Sequence, residues 1–259
     1  MHEHFYQRLR RHESSYSVSG SLPVLFFGDI FSATVGTVGL NPSHQEYLDP
    51  RGFELTGTAR RFETLNSLGA DDRRSLTREQ CNRAIQTMRG YFQPANPVYR
   101  WFKSLMRVTT GMGFSYQCGE VAHLDLVQEA TKPAWSQLKV DSPTEAQALL
   151  SADLPFLGWQ FETFPFSALL CNGRTVYEAV KDLSNGTTTL TGRIARVTWF
   201  AGLAEINGET IGLAGWNIPL ARPTGLGAKG EAQLGEILLA ALNKLGIPRA
   251  NRERRRGQG

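Results

Sequence analysis

Two short stretches place an amide and an acid at the ends of apolar strands. In residues 37–44 (TVGLNPSH) an apolar run leads into Asn41, and the proline after it stiffens the turn. In residues 121–127 (VAHLDLV) His123 and Asp125 interrupt a second run, two positions apart and so on one face. An amide can hold a water or bond a base edge, and a buried carboxylate is costly unless paired or functional. The alternatives are a plain turn and a structural His–Asp couple.

The elements that would position these side chains form an alternating pattern. Apolar, β-branched runs predict strands at residues 22–27, 33–40, 121–127, 167–171, 196–203 and 210–213, with a type I′ turn at Asn207-Gly208 between the last two. Caps and amphipathic periodicity predict helices at residues 78–91, 98–109, 144–150, 175–183 and 231–245. This alternation predicts an α/β fold, a three-layer α/β/α sandwich with a central, mainly parallel sheet. Ligands bind such sheets beyond the carboxyl ends of the strands, where Asn41 and Asp125 lie.

The composition predicts one globular domain with a basic tail. The chain has 259 residues, of which 41% are hydrophobic and 20% charged, enough for a sizeable core. We expect a single domain over residues 1–248, with an N-terminal extension at 1–20. The tail, residues 249–259, holds five arginines and one glutamate and so carries the whole net charge of +4. Such a tail can attract DNA, or it can be a solvated, disordered end.

The cysteines and the apolar runs argue against a metalloprotein and against a membrane-spanning protein. Cys81, Cys118 and Cys171 lie far apart and form no CxxC pair, which argues against a zinc site or an iron–sulfur cluster. The odd count and the polar N-terminus fit a reducing cytoplasm. The apolar runs are too short to span a bilayer. We therefore expect a cytoplasmic protein with no cofactor, no metal and no membrane partner.

The segment GLNPSH resembles the first active-site motif of the uracil-DNA glycosylase superfamily, which reads GQDPYH in one branch and GINPG or GMNPG in others. The resemblance implies a uracil-DNA glycosylase-like fold and assigns Asn41 to holding the attacking water. Ser43 stands where the family has an aromatic residue that excludes 5-substituted bases, so we expect room beside C5 of a pyrimidine. His44, at the last motif position, is expected to contact DNA phosphate or to brace the loop.

The segment HLD resembles the family strand LLLN, whose terminal asparagine recognises uracil. Here Asp125 takes the asparagine position. An ionised Asp125 can accept from the N4 amino group of cytosine, and a protonated one, which burial favours, can donate to N3. Donation from His123 to N3 would serve the same end. Together with Ser43, this predicts a 5-modified cytosine rather than uracil.

The family places a base-stacking aromatic residue soon after its first motif. Phe53 and Phe62 are both candidates, and core packing is the alternative for each. Arg60 and Arg61, in the same region, are candidate DNA-phosphate contacts or a solvated face.

The last family motif, of HPS or NPS type, has no close match. The nearest segment, residues 215–227, follows the predicted hairpin and precedes the last helix. By its position the resemblance implies that Asn217 bonds O2 of the base and that Arg222 holds phosphate. Leu220 or Leu226 would fill the gap left by the extruded base. A Gly/Pro-rich surface loop is the alternative.

These expectations together describe a monomeric, monofunctional DNA glycosylase. It would flip a base, a 5-modified cytosine, out of DNA, hydrolyse its glycosidic bond and leave an abasic site. The resemblance also suggests a role in anti-phage defence. Two other classes compete: an N-glycosidase that acts on free nucleosides or nucleotides, and a non-catalytic DNA-binding module.

Overall fold

A computed structural model of the protein describes residues 2–247, which form two compact units. The first comprises residues 2–30, 40–99 and 123–157, and the second comprises residues 31–39, 100–122 and 158–247. The predicted basic tail, residues 249–259, lies outside the described residues. The single domain over residues 1–248 stays a prediction.

The helices and strands alternate along most of the chain. In order they are α1 (Glu3–Leu9), β1 (Val35–Gly39), α2 (Leu65–Leu68), α3 (Arg78–Arg89), α4 (Phe102–Gly111), β2 (Val121–Asp125), α5 (Trp135–Asp141), α6 (Pro143–Thr163), β3 (Ala168–Asn172), α7 (Arg174–Leu183), β4 (Leu190–Ile194), β5 (Val197–Ile206), β6 (Glu209–Trp216) and α8 (Gly227–Lys244). Short 3₁₀ helices occupy His44–Glu46, Gly57–Ala59 and Arg73–Ser75.

Within the described residues the strands form one six-stranded sheet in the order β2-β1-β3-β6-β5-β4. The pairs β1–β3 and β3–β6 are parallel, and β5 runs antiparallel to both β6 and β4. The predicted α/β class with a central, mostly parallel sheet is thus confirmed. Asn207 and Gly208 both have positive φ, 52° and 76°, as the predicted type I′ turn between β5 and β6 requires.

Helices cover both faces of the sheet in the second unit. A Cβ placed on Gly212 would point at Leu242 of α8, whereas one on Gly215 would point at Tyr177 of α7. Residues three apart on a strand face opposite sides, so α7 and α8 lie on opposite faces of β6. This is consistent with a three-layer arrangement.

The predicted strand at residues 22–27 is wrong. The segment is extended and buried, but it makes only isolated bridges, such as Phe27 with His123. Its backbone forms hydrogen bonds with loops of the first unit; for example, Val24 N donates to Gln128 O at 2.8 Å. Its apolar run therefore reflects burial rather than sheet pairing.

Helices α1, α2 and α5 were not predicted from the sequence, and two further elements also depart from the prediction. Helix α6 runs from Pro143 to Thr163 rather than over residues 144–150, because buried Leu157 and Phe161 continue its apolar face beyond residue 150. Strand β4 was missed because its side chains alternate between exposed and half-buried and form no apolar run.

Candidate functional site

The amide of Asn41 is held in one orientation. Its Nδ2, which carries two hydrogens, lies within hydrogen-bond distance of three acceptors: Pro42 O at 3.0 Å, Thr131 Oγ1 at 3.2 Å and Glu129 O at 3.3 Å. Its Oδ1 has no partner among residues 2–247 and is left as an acceptor. A fixed carbonyl oxygen of this kind can hold one proton of a water molecule.

The loop that carries Asn41 is joined directly to the chain that follows β2. Val127 N donates to Leu40 O at 3.0 Å, and Ser43 forms a parallel bridge with Thr131. Asp125 lies two residues before Val127. The structure therefore brings the two predicted strand ends together within the first unit.

A buried ion pair fixes the backbone to which Asn41 is anchored. Arg73, 1% exposed, donates to both carboxylate oxygens of Glu129, at 2.9 and 3.0 Å, and to Ser21 O at 2.9 Å. Ser17 Oγ donates to Glu129 Oε2 at 2.8 Å. Burial acts to raise the pKa of Glu129, but the Arg73 guanidinium, together with Arg8 and the Ser17 hydrogen bond, outweighs it and holds this pKa below its ordinary value. The pair is thus ionised, and it locks the carbonyl of Glu129 in place.

His123 and Asp125 form a buried couple with one unsatisfied atom. The side chains are 1% and 2% exposed, and His123 Nε2 lies 3.4 Å from Asp125 Oδ1. Asp125 Oδ2 is buried and has no hydrogen-bond partner in the described part of the chain. Leaving such an atom unpaired costs about 1–3 kcal/mol, or more for a charged group. A buried acceptor of this kind calls for a partner from outside the protein.

The two candidate stacking aromatics lie in different environments. Phe62 is 1% exposed and stacks on Tyr91, with ring centroids 5.1 Å apart and planes at 17°. Phe27 contacts both of these rings and also the ring of His123, at 5.3 Å. Phe53, by contrast, is 65% exposed. Phe62 therefore belongs to the aromatic cluster around His123, and Phe53 lies at the surface.

Glu46 is a second buried acid in this region, and sequence reasoning missed it. It is 2% exposed, and Tyr91 Oη donates to its Oε2 at 2.8 Å. Burial is the main cause that raises the pKa of Glu46 to about 8, and the charge of Asp125 adds to it. The Tyr91 hydrogen bond and Arg61, 3.9 Å away, act in the opposite direction. At neutral pH Glu46 therefore holds its proton.

Glu46 is expected to make the stability depend on pH. Between pH 4.5, the ordinary pKa, and about 8 the unfolded chain has lost the proton that the folded chain retains. The free energy of unfolding should therefore fall as pH rises through this window, by up to about 1.4 kcal/mol per pH unit. Denaturant unfolding at several pH values should show this slope in the wild type and a flatter profile in Glu46→Gln. The exposed Glu145→Gln is the control, and equal slopes in wild type and Glu46→Gln would contradict the assignment.

The predicted phosphate contacts are not equivalent. Two donors of Arg61 hold backbone carbonyls, Pro97 O and Gln45 O, each at 2.6 Å, so this side chain braces the loops. Arg60 is 35% exposed and lies 3.8 Å from Glu63. His44 is half-buried, and its partial burial, followed by the Lys132 ammonium, lowers its pKa. Phosphate binding stays a prediction for all three predicted residues.

The candidates of the last motif lie in the second unit, after β6. Asn217 Oδ1 accepts from Thr198 N at 2.9 Å, and its Nδ2 has no partner among the described residues. Arg222 is exposed. Leu226 is half-buried, packed beside Gly230.

Leu220 does not suit the predicted role of filling a gap in DNA. It is 7% exposed, and its backbone N–H donates to Asn172 Oδ1 at 2.9 Å. A side chain packed inside the second unit cannot enter a base stack without local unfolding.

The second unit also contains a cavity of about 290 Å³. Thr34, Phe164, Ser167, Asn207 and Leu242 are among the residues that line it. It lies at the amino-terminal ends of β1 and β3 rather than at their carboxyl ends, where the candidate residues lie.

Residues 2–247 contain no group of three or more His, Cys, Asp or Glu side chains arranged to hold a metal ion. They also contain no helix with the length and apolar character needed to cross a membrane. In comparisons with known proteins, no family model matches the sequence, and no curated protein matches it.

Proposed function

We propose that the protein is a monofunctional DNA glycosylase with a three-layer, uracil-DNA glycosylase-like fold. It flips a base, a 5-modified cytosine, out of DNA and hydrolyses its N-glycosidic bond, leaving an abasic site. Its partner is DNA, and it acts as a cytoplasmic monomer without cofactor or metal. A role in anti-phage defence accords with a modified base as substrate.

This proposal rests mainly on the Oδ2 of Asp125, which is buried without a hydrogen-bond partner among the described residues. Asp125 is buried on β2 beside His123, and the chain just after it is bonded to the loop of Asn41. Natural proteins retain unpaired buried polar atoms chiefly where a ligand, a water or a catalytic step uses them. The amino group of cytosine supplies the donor that a carboxylate oxygen lacks.

The proposed reaction needs a held water and a stabilised leaving base. The water oxygen bonds to C1′ of the sugar as the C1′–N bond breaks, through an oxocarbenium-like transition state, as in other glycosyl transfers. Asn41 Oδ1 accepts one water proton and orients the water. Asp125 accepts from the amino group of the base. His123, or Asp125 when protonated, donates a hydrogen bond to N3 and keeps its proton. The one proton released by the water is taken up by the departing base, which leaves as the neutral free base.

The small side chain of Ser43 favours a substituted base. Ser43 caps the 3₁₀ helix His44–Glu46, with its Oγ accepting from Gln45 N at 3.2 Å. This bond keeps the small side chain close to its own backbone, whereas an aromatic ring at this position would fill space. We therefore expect a substituent at C5 to be accommodated beside Ser43.

Excision is tested with duplexes that differ in one base: cytosine, several 5-substituted cytosines, and uracil. After incubation, alkali cleaves the strand wherever a base has been lost. We expect cleavage at a 5-substituted cytosine. Asn41→Ala should lower its single-turnover rate by about 10²-fold or more, because the water loses its anchor. Asn66→Ala, which removes an exposed amide from α2, is the matched control and should leave the rate unchanged.

The same assay separates the competing classes. Release of base from free nucleosides but not from duplexes would favour the nucleosidase. DNA binding without cleavage of any substrate would favour a non-catalytic module. Either result would overturn the proposed function.

A further inference from the structure

A hairpin at residues 47–55 presents an aromatic ring on a rigid tip. Asp49 N donates to Phe53 O at 2.8 Å, and Phe53 N donates back to Asp49 Oδ1 at 3.0 Å. Gly52 closes the turn with a φ of 87°, which favours glycine. Three residues lie between Asp49 and Phe53, and the backbone N–H groups of Arg51, Gly52 and Phe53 all donate to Asp49. We call residues 47–55 the Phe53 hairpin.

The ring at this tip is largely exposed to solvent. Phe53 is 65% exposed, and among the described residues the other large exposed hydrophobic side chains are aliphatic, Val140 and Leu183. The guanidinium of Arg51 lies over the ring, 5.4 Å from its centroid. A flat apolar ring beside a cation can stack on a nucleobase and bring a positive charge to the backbone.

The Phe53 hairpin lies near the Asn41 loop. A Cβ placed on Gly52 would lie 3.5 Å from Lys132 Nζ, so this ammonium borders the tip. Lys132 directly follows Thr131, whose Oγ1 accepts from the Asn41 amide at 3.2 Å. The Lys132 ammonium also helps to lower the pKa of His44. The exposed ring, two cations and the residue proposed to hold water are thus linked by a short series of contacts within one unit.

We propose that Phe53 inserts into the DNA base stack beside the extruded nucleotide, with Arg51 and Lys132 on the flanking phosphates. This rests on the proposed function, because it takes duplex DNA as the partner. An extruded base leaves a gap whose neighbouring bases expose their faces, and an inserted side chain can fill such a gap. The side chain of Phe53 is exposed and available to fill this gap, whereas the side chain of Leu220 is buried.

The insertion is tested on DNA that needs no excision. A duplex carries a tetrahydrofuran abasic analogue with 2-aminopurine next to it, and binding of the full chain is followed by 2-aminopurine fluorescence and by anisotropy. We expect the wild type to change the fluorescence and Phe53→Ala to lose that change and bind about tenfold more weakly. Phe53→Trp should restore both. Val140→Ala, which removes an exposed apolar side chain from α5, should behave as the wild type.

Thermal unfolding of each variant shows that a lost signal does not come from a lost fold. If Phe53→Ala perturbs 2-aminopurine and binds as the wild type does, or if the wild type leaves the fluorescence unchanged, the proposal is overturned. The outcome is separable from that of the proposed function. If Phe53 inserts but no substrate loses a base, the proposed glycosylase activity is contradicted and the insertion is supported. If bases are excised at the same rate by the wild type and by Phe53→Ala, only the insertion is contradicted.

Discussion

Asp125→Asn is expected to move the base preference from cytosine toward uracil. An asparagine amide can donate to O4 and accept from N3–H of uracil, whereas the Asp125 carboxylate accepts from the N4 amino group of cytosine. Removal of the side chain in Asp125→Ala should lower excision of the 5-substituted cytosine by about 10²–10³-fold, the usual effect of losing one preorganised polar contact to the reacting group. Single-turnover rates on paired cytosine and uracil duplexes measure both effects.

These variants should remain folded. Asp125 Oδ2 has no partner among residues 2–247, so its replacement gives up no hydrogen bond at that atom. We therefore expect the free energy of unfolding of Asp125→Asn, which keeps the oxygen beside His123, to stay the same or to rise, as happens where an active-site group is kept at a cost in stability. Asp141→Asn, an exposed change on α5, is the matched control for activity. An Asp125→Asn variant with the rate and base preference of the wild type would contradict the role of Asp125.

Arg73→Met is expected to have the largest effect on stability. The substitution removes the guanidinium that donates two hydrogen bonds to the buried carboxylate of Glu129. Removing one partner of a buried ion pair costs about 3–5 kcal/mol of stability. Arg8 NH2, 3.8 Å from Glu129 Oε1, is too distant to replace it. Urea unfolding at neutral pH measures the loss. Because the Glu129 carbonyl anchors the Asn41 amide, excision should fall as well.

The neighbouring arginine provides the control. Arg74 carries the same charge, but its side chain is 68% exposed and it pairs with Asp72, so Arg74→Met should change stability by less than about 0.5 kcal/mol. Adding Glu129→Gln to Arg73→Met should recover part of the loss, because the uncompensated charge is gone. Equal stability of Arg73→Met and Arg74→Met would show that the buried pair does not hold the loop.

Local sequence signals were sufficient for elements whose structure is set by near neighbours. Thr77 caps the start of α3 in a capping box with Gln80, a local signal that predicts a helix start. Gly246 follows α8 with a φ of 82°, the left-handed conformation in which a glycine commonly ends a helix. In each case a few adjacent residues determine the local backbone conformation, so the pattern can be recognised without knowledge of the rest of the fold.

Contacts between distant parts of the chain could not be found in this way. Glu46 follows Asn41 closely, but only packing against Tyr91 shows that its carboxyl is buried. Arg73 and Glu129 are 56 residues apart, and neither carries a local sign of pairing. Phe53 and Phe62 looked alike in sequence and differ only in which one the fold encloses. Burial and pairing depend on the tertiary structure, and a local pattern does not encode it.

The most direct test of the account identifies the product of one turnover. Enzyme in excess is mixed with a duplex containing a single 5-substituted cytosine, and the small molecules released are identified by mass. We predict one free 5-substituted cytosine for each abasic strand, and none with Asn41→Ala or Asp125→Ala over the same time. Release of a nucleoside or nucleotide, or equal yields from wild type and both variants, would contradict the claim that these two side chains act on one extruded base.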